Sequence, residues 1–212
     1  MTKPNHENQN NRQKIIDAAT HLFASKGYNG VSVREIAEEA SVTKPVIYYY
    51  FDNKKDLHDN ILQEAFADMT ALHDLIFENK TSVEEQLREL MRSHFRFCIE
   101  NPDVVKILYD TIGRNISEKG FMPGKPSALA GETDFRKFSD FIRNGQAEGF
   151  IKPSVDPTKA GMMMLGAMNI FILTHLHSDR EMISDAVADE LMDMFLHGIT
   201  NNEETIKENA NS

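Results

Sequence analysis

Residues 32–51, SVREIAEEASVTKPVIYYYF, hold two short helical patterns separated by the three residues SVT, and no other stretch restricts the fold as much. Ser32 is suited to cap the first, Glu35 to complete a capping box, and Val33, Ile36, Ala37 and Ala40 share one face over about two turns. After SVT, Pro45 is tolerated because a first-turn N–H has no helical partner, although it biases Lys44 away from helical dihedrals; Thr43 and Lys44 are both candidates for the cap. By local propensity IYYYF could be a strand. An earlier helix, with Ile15, Ala18, Ala19, Leu22 and Phe23 on one face and Gly27 as its stop, instead completes the layout of a helix-turn-helix, whose second helix enters the major groove.

The phase of that second helix divides its aromatic residues. With Ile47 at zero, Phe51 lies at about 40°, Tyr48 at about 100° and Tyr50 at about 300°, while Pro45, Tyr49 and Val46 lie at about 160°, 200° and 260°. Ile47, Phe51 and much of Tyr50 therefore face the other helices. Pro45, Val46 and Tyr49 face outward, with Tyr48 on the flank. Lys44 stands at the helix start, where the macrodipole disfavours a cation unless a phosphate lies nearby.

The remaining chain is helical by periodicity. A long amphipathic helix carries Leu57, Ile61, Leu62, Ala65, Phe66, Met69 and Leu72, and further helices are expected near 83–100, 102–113, 132–148, 157–177 and 181–199. This predicts an all-α chain: a three-helix helix-turn-helix domain over 12–60, then a larger helical domain over 61–200, about nine helices in all. The polar ends, 1–11 and 201–212, read as frayed tails. Residues 114–131, with Gly120, Pro123, Gly124 and Pro126, read as a long loop.

Charge is unevenly spread. Eight of the 23 basic and eight of the 33 acidic residues fall in the first sixty, leaving fifteen and twenty-five in the rest, so the net charge of −10 arises outside the helix-turn-helix. A single cysteine, Cys98, excludes an internal disulfide framework, and the amino terminus has no apolar run of a secretory signal. Both point to the cytoplasm. GMMMLGAMNIFILTHL, 161–176, reads as shorter than a membrane span and is interrupted by Asn169 and Thr174, so a buried helix and no membrane association are expected.

Residues 12–62 resemble the amino-terminal DNA-binding domain of TetR-family transcriptional regulators almost throughout, in LFASKGYNGVSVREIA, in VIYYYF and in the NKKDL that opens the fourth helix. The resemblance implies double-stranded operator DNA as partner, a homodimer through the last two helices on a palindromic operator, and repression relieved by a small molecule. It places DNA contacts at Ser32 and Arg34, at Thr43, Lys44, Pro45, Val46, Tyr48 and Tyr49, and at Lys54. Hydroxyls and Lys54 suit phosphate, whereas Val46 and Pro45 can pack on a thymine methyl. Two positions depart from the family pattern: Ser41 stands where glycine is usual in the turn, and Tyr50 where histidine is common.

Outside that domain the chemistry is sparse. His94 and Cys98, at i and i+4, share a helix face, but no third ligand or orienting carboxylate is fixed by spacing, so a metal site or a small helical enzyme is a minor alternative. A helical adaptor that has lost DNA binding is another. His175 and His177 point about 200° apart and cannot converge on one ion. Phe66, Met69, His94, Phe97, Tyr109, Phe138, Phe141 and Met168 are candidates to line an apolar or amphipathic effector's pocket. Neither a cofactor nor a catalytic residue is expected.

Overall fold

In the computed structural model the described residues are 6–79, 81–119 and 132–200, with side chains over 10–79, 81–114 and 138–200. They form nine α-helices: α1 (His6–Lys26), α2 (Val33–Glu39), α3 (Lys44–Tyr50), α4 (Lys54–Glu78), α5 (Val83–Glu100), α6 (Pro102–Lys119), α7 (Glu132–Ala147), α8 (Pro157–His177) and α9 (Asp185–Ile199). Extended structure among these residues is confined to one antiparallel bridge, Ile151 to Thr200. Three boundaries differ from the periodicity reading. Helix α1 takes in residues 6–11, assigned above to a tail. Helix α6 runs through Gly113 to Lys119, with Arg114 donating to Thr111 Oγ1 at 3.1 Å inside it. Helix α9 starts at Asp185 because Ser184 caps it, its hydroxyl accepting from the Val187 N–H. The expected tail at 201–212 and most of the expected loop, 120–131, lie outside the described residues.

The contacts group the helices into two compact units. The first comprises α1, α2, α3, α4 as far as Asp68, and α6; the second comprises α4 from Met69, α5, α7, α8 and α9. The packing thus divides differently from the sequence boundary at 60/61, since α6 lies against α1.

In the first unit Ile15, Ala19 and Phe23 of α1, Ile36 of α2, Ile47 of α3, Phe51, and Leu57 and Ile61 of α4 are buried together with Val31. The turn between α2 and α3 is a Schellman motif. The Val42 N–H donates to the Ala37 carbonyl and the Ser41 N–H to the Glu38 carbonyl, at 2.9 and 3.2 Å, with Ser41 left-handed at φ 55°. Ser41 thus holds, at a cost in strain, the left-handed conformation that favours the glycine usual in this turn.

In the second unit α5 packs on α9, with Leu87, Met91 and Phe95 buried on one side and Ala188, Met192 and Phe195 on the other. An ion-pair ladder borders this seam: Arg88 pairs with Asp193 at 2.6 Å, Arg92 with Asp189 at 2.7 Å, and Arg96 with Asp185 at 2.5 Å. Both sets step by four residues, one helical turn, and run antiparallel. Below α7, Gly145 allows the chain to double back: a Cβ there would lie 2.7 Å from Cδ1 of the fully buried Ile151.

Helix α8 is 21 residues, longer than the apolar window read from sequence, and is long and apolar enough to cross a membrane by length and composition. One face, Ala160, Gly161, Met164, Met168 and Ile172, is buried within the second unit. Met162, Met163 and Ile170 on another face are more than half exposed, as is Met194 of α9.

Ser41→Gly is expected to relieve the left-handed serine, partly offset by added unfolded-state entropy. The net gain is about 0.5–1 kcal/mol, read as a rise of a few degrees in Tm by circular dichroism.

Candidate nucleic-acid interface

Helix α3 has seven residues, too few to persist alone, and its rotation is set by what it buries. Ile47 and Phe51 are 1% and 2% exposed, while Tyr48 and Tyr49 are 53% and 71% exposed. Tyr50 is half-buried between them, edge-on to Tyr49 with ring centroids 4.9 Å apart and tilted against Phe51 at 6.4 Å. The aromatic run thus separates into core and solvent-facing residues as its phase predicts. Val46, expected to face outward, is half-buried, and Pro45 is exposed.

Thr43 is the N-cap of α3, but its hydroxyl makes no capping bond, and both it and Lys44 are exposed. At α2 the predicted capping box is complete. Ser32 Oγ accepts from the Glu35 N–H at 3.2 Å, and Glu35 accepts from the Ser32 N–H at 2.8 Å. That backbone bond, followed by the bond from Lys26, lowers the Glu35 pKa to about 2. Arg34, exposed, donates to Glu38 at 2.7 Å, so an anion would have to take it from that partner. Ser32, Arg34, Thr43, Lys44, Pro45, Tyr48 and Tyr49 therefore all present exposed groups within the first unit.

Lys54 does something the sequence did not disclose. Its ammonium donates to the carbonyls of Tyr28 and Val31, both at 2.9 Å, and lies 4.2 Å from the centroid of the Tyr28 ring. The phosphate role read for Lys54 thus competes with a structural one: it fastens the start of α4 to the Tyr28–Gly30 turn and to the strand-like Val31 that leads into α2. Lys55 pairs with Asp59.

A second group missed at the sequence level surrounds the same tyrosine. His58, 4% exposed, meets Tyr28 and Phe23 edge-on at 5.0 and 5.5 Å. Its Nε2 lies 3.2 Å from Thr111 Oγ1 and 3.5 Å from an Arg114 nitrogen, and the Arg114 guanidinium stacks 4.8 Å from the Tyr28 ring. Burial above all, opposed by Asp59 and aided by Arg114, lowers the His58 pKa. Its neutral imidazole can accept from α6, which joins α6 to the helix-turn-helix. No local spacing announces contacts between residues 28, 58 and 114.

The effector candidates divide between the units. Phe66 and Tyr109 belong to the first; Met69, His94, Phe97, Phe138, Phe141 and Met168 belong to the second, where Met69, Phe138, Phe141 and Met168 are buried and His94 and Phe97 half-buried. Burial drives the Cys98 thiol pKa up to about 12, and no hydrogen bond or charge from His94 opposes it. Among the described residues no group of three His, Cys, Asp or Glu could hold a metal.

Lys54→Met keeps most of the aliphatic stem but removes two charged hydrogen bonds and the contact with Tyr28. A loss of about 1–2 kcal/mol is expected in denaturant unfolding, measured without DNA, where a phosphate-only lysine would leave stability unchanged.

Comparison with known proteins agrees with this geometry. Residues 15–61 match the family described as bacterial regulatory proteins, tetR family. The chain is 23% identical over 193 residues to the fatty acid metabolism regulator protein of Bacillus subtilis, covering 89% of this chain and 95% of that one. It is 26% identical over 185 residues to the HTH-type transcriptional repressor NicS of Pseudomonas putida, covering 86% and 82%. The solved ketosteroid transcriptional regulator KstR2 of Mycobacterium tuberculosis shares the fold, with a TM-score of 0.73 at 19% identity over 94% of this chain and 98% of that one. With an exposed second helix on the helix-turn-helix, a tetR-family match over residues 15–61 and similarity to curated regulators along most of its length, the chain is a DNA-binding transcriptional regulator similar to TetR-family proteins.

Proposed function

We propose that the protein is a cytoplasmic homodimeric repressor, released from a palindromic operator by a small apolar or amphipathic effector. The carrying observation is the exposed face of α3, where Tyr48 and Tyr49 stand out from a helix locked by Ile47 and Phe51. In this reading Tyr49, Tyr48, Pro45 and Val46 meet base edges and methyl groups, while Ser32, Arg34, Thr43 and Lys44 meet phosphates. Lys54 acts mainly by holding the domain together, with any phosphate contact secondary. DNA binding falls to residues 12–60; effector binding and dimerisation fall to 61–200.

One recognition helix reads one half-site, and a second copy one DNA turn away supplies the other. The exposed Met162, Met163 and Ile170 of α8 and Met194 of α9 are the surface for that copy, an apolar patch for which a soluble regulator needs a cover. Pairing with a second chain also accounts for the length and apolar character of α8 without a membrane. The fatty acid and ketosteroid themes in the names of two relatives are in keeping with an apolar effector. An enzyme using His94 and Cys98 is disfavoured, since a thiol held near 12 supplies little thiolate at neutral pH.

Electrophoretic mobility shift with DNA upstream of the protein's own gene and its neighbours is expected to show a retarded complex. Its affinity should fall by about 0.9 log units per log unit of salt for each phosphate neutralised. Tyr49→Ala should weaken it by about 1–3 kcal/mol with an unchanged helical spectrum; no retardation at any salt concentration would refute the repressor reading. Ile170→Glu is expected to give monomers in sedimentation velocity and to lose operator binding with them.

A further inference from the structure

Two histidines meet inside the second unit, and the operator-binding reading uses neither. His73 on α4 and His94 on α5 stack with ring centroids 6.1 Å apart and planes 21° apart. His73 is 8% exposed. His94 combines two properties: it is enclosed deeply enough that burial, with the neighbouring His73 second, lowers its pKa to about 3, yet part of its surface stays open. The His94 ring is thus half-buried, with part of its surface left uncovered for a ligand to meet. No hydrogen bond enters among the influences on that imidazole.

The chemistry of the pair selects its ligand. A neutral imidazole offers one N–H and one acceptor, and among the described residues His73 is the titratable group that acts on His94. Cys98, a turn further along α5, remains a protonated thiol. Among the described residues no carboxylate acts on His94 to balance a cation, and two imidazoles leave a metal ion short of ligands. An anion is different. A bare carboxylate is costly to bury, but one proton taken from solvent onto either imidazole turns carboxylate and pair into a neutral ion pair. The second imidazole stays neutral, because a second positive charge at this distance would be repelled, and donates its N–H.

We propose that His73 and His94 form the polar end of the effector site and receive the head group of an apolar carboxylate, the pair taking up one proton as the anion enters. This rests on the effector reading above and adds the chemical class of the ligand and a proton linkage. The buried residues one turn before each histidine, Met69 on α4 and Leu90 on α5, share its helix face and supply the apolar character that suits the tail.

Titration calorimetry on the full-length protein tests it with decanoate, which is ionised throughout the range from about pH 6 to about pH 8. Uptake of one proton makes decanoate affinity fall about tenfold per pH unit across that range. Methyl decanoate, uncharged, should bind more weakly and without a pH trend. His94→Gln, and independently His73→Gln, should flatten the decanoate profile. A level profile for the unmodified protein, ester binding as tight as decanoate, or no decanoate binding would each overturn the proposal. Operator retention measured on the same preparation separates the readings: retention with a level profile removes only the histidine site, whereas a pH-linked decanoate site in a protein that binds no operator removes the repressor reading.

Discussion

The burial of Ile47 and Phe51 is the constraint on which the exposed surface of α3, the proposed DNA-reading face, depends. A seven-residue helix has too few internal hydrogen bonds to define its own position, so its orientation comes from the two side chains it loses to the core. Rotation of α3 by one residue, about 100°, would bring Tyr48 inward and expose Ile47. The flanking joints limit that freedom. The Schellman turn at Ser41 fixes how the chain leaves α2, and Asn53, accepting from the backbone of Lys55 and Asp56 at 2.9 and 3.0 Å, fixes how it enters α4. Exposure of Tyr49 is thus a consequence of packing on the opposite side.

The joints around Tyr28 extend the same logic. Lys54 ties the start of α4 to the backbone of the Tyr28–Gly30 turn, and Arg114 reaches the same ring from α6. Arg12 ties α1 to α4 through Glu64 and lies 5.5 Å from the Phe51 ring. A displacement of α6 within the first unit would therefore be felt at Tyr28, His58 and the helix-turn-helix together, because these side chains share partners. His58 is central to that arrangement: its neutrality lets it accept where an imidazolium beside Arg114 would be repelled.

What was legible in the sequence followed from short-range rules. The capping box at Ser32 and Glu35, the division of the tyrosines and the stop at Gly27 each depend on residues within four positions of one another. The missed features depend on distant ones. Lys54 lies 23 residues from Val31, His58 lies 53 from Thr111, and the arginine ladder of α5 meets α9 about a hundred residues on. Spacing places Arg88, Arg92 and Arg96 on one stripe, and Asp185, Asp189 and Asp193 on another, but nothing in either stripe identifies the other as its partner. The effector candidates were chosen without knowledge of their neighbours for a related reason: apolar residues at helical spacing report that a face is buried, and not which neighbour buries it.

The charge distribution bears on how such an acidic protein recognises DNA. Its excess acidity lies beyond residue 60, so the recognition domain approaches DNA with balanced charge rather than as a cation. Several of its cations are also engaged: Lys26 with Glu35, Arg34 with Glu38, Lys55 with Asp59 and Arg12 with Glu64. At physiological salt, fields fade over about 8 Å, so a segment of balanced charge gains little long-range steering. Association then depends on contacts made after encounter. The broad exposed rings of Tyr48 and Tyr49 suit that task, because they supply contact area and hydroxyls without adding charge. On the proposed reading such a surface discriminates by fit to the groove more than by attraction to the backbone, and the seating of α3 on Ile47 and Phe51 is what makes such fit attainable.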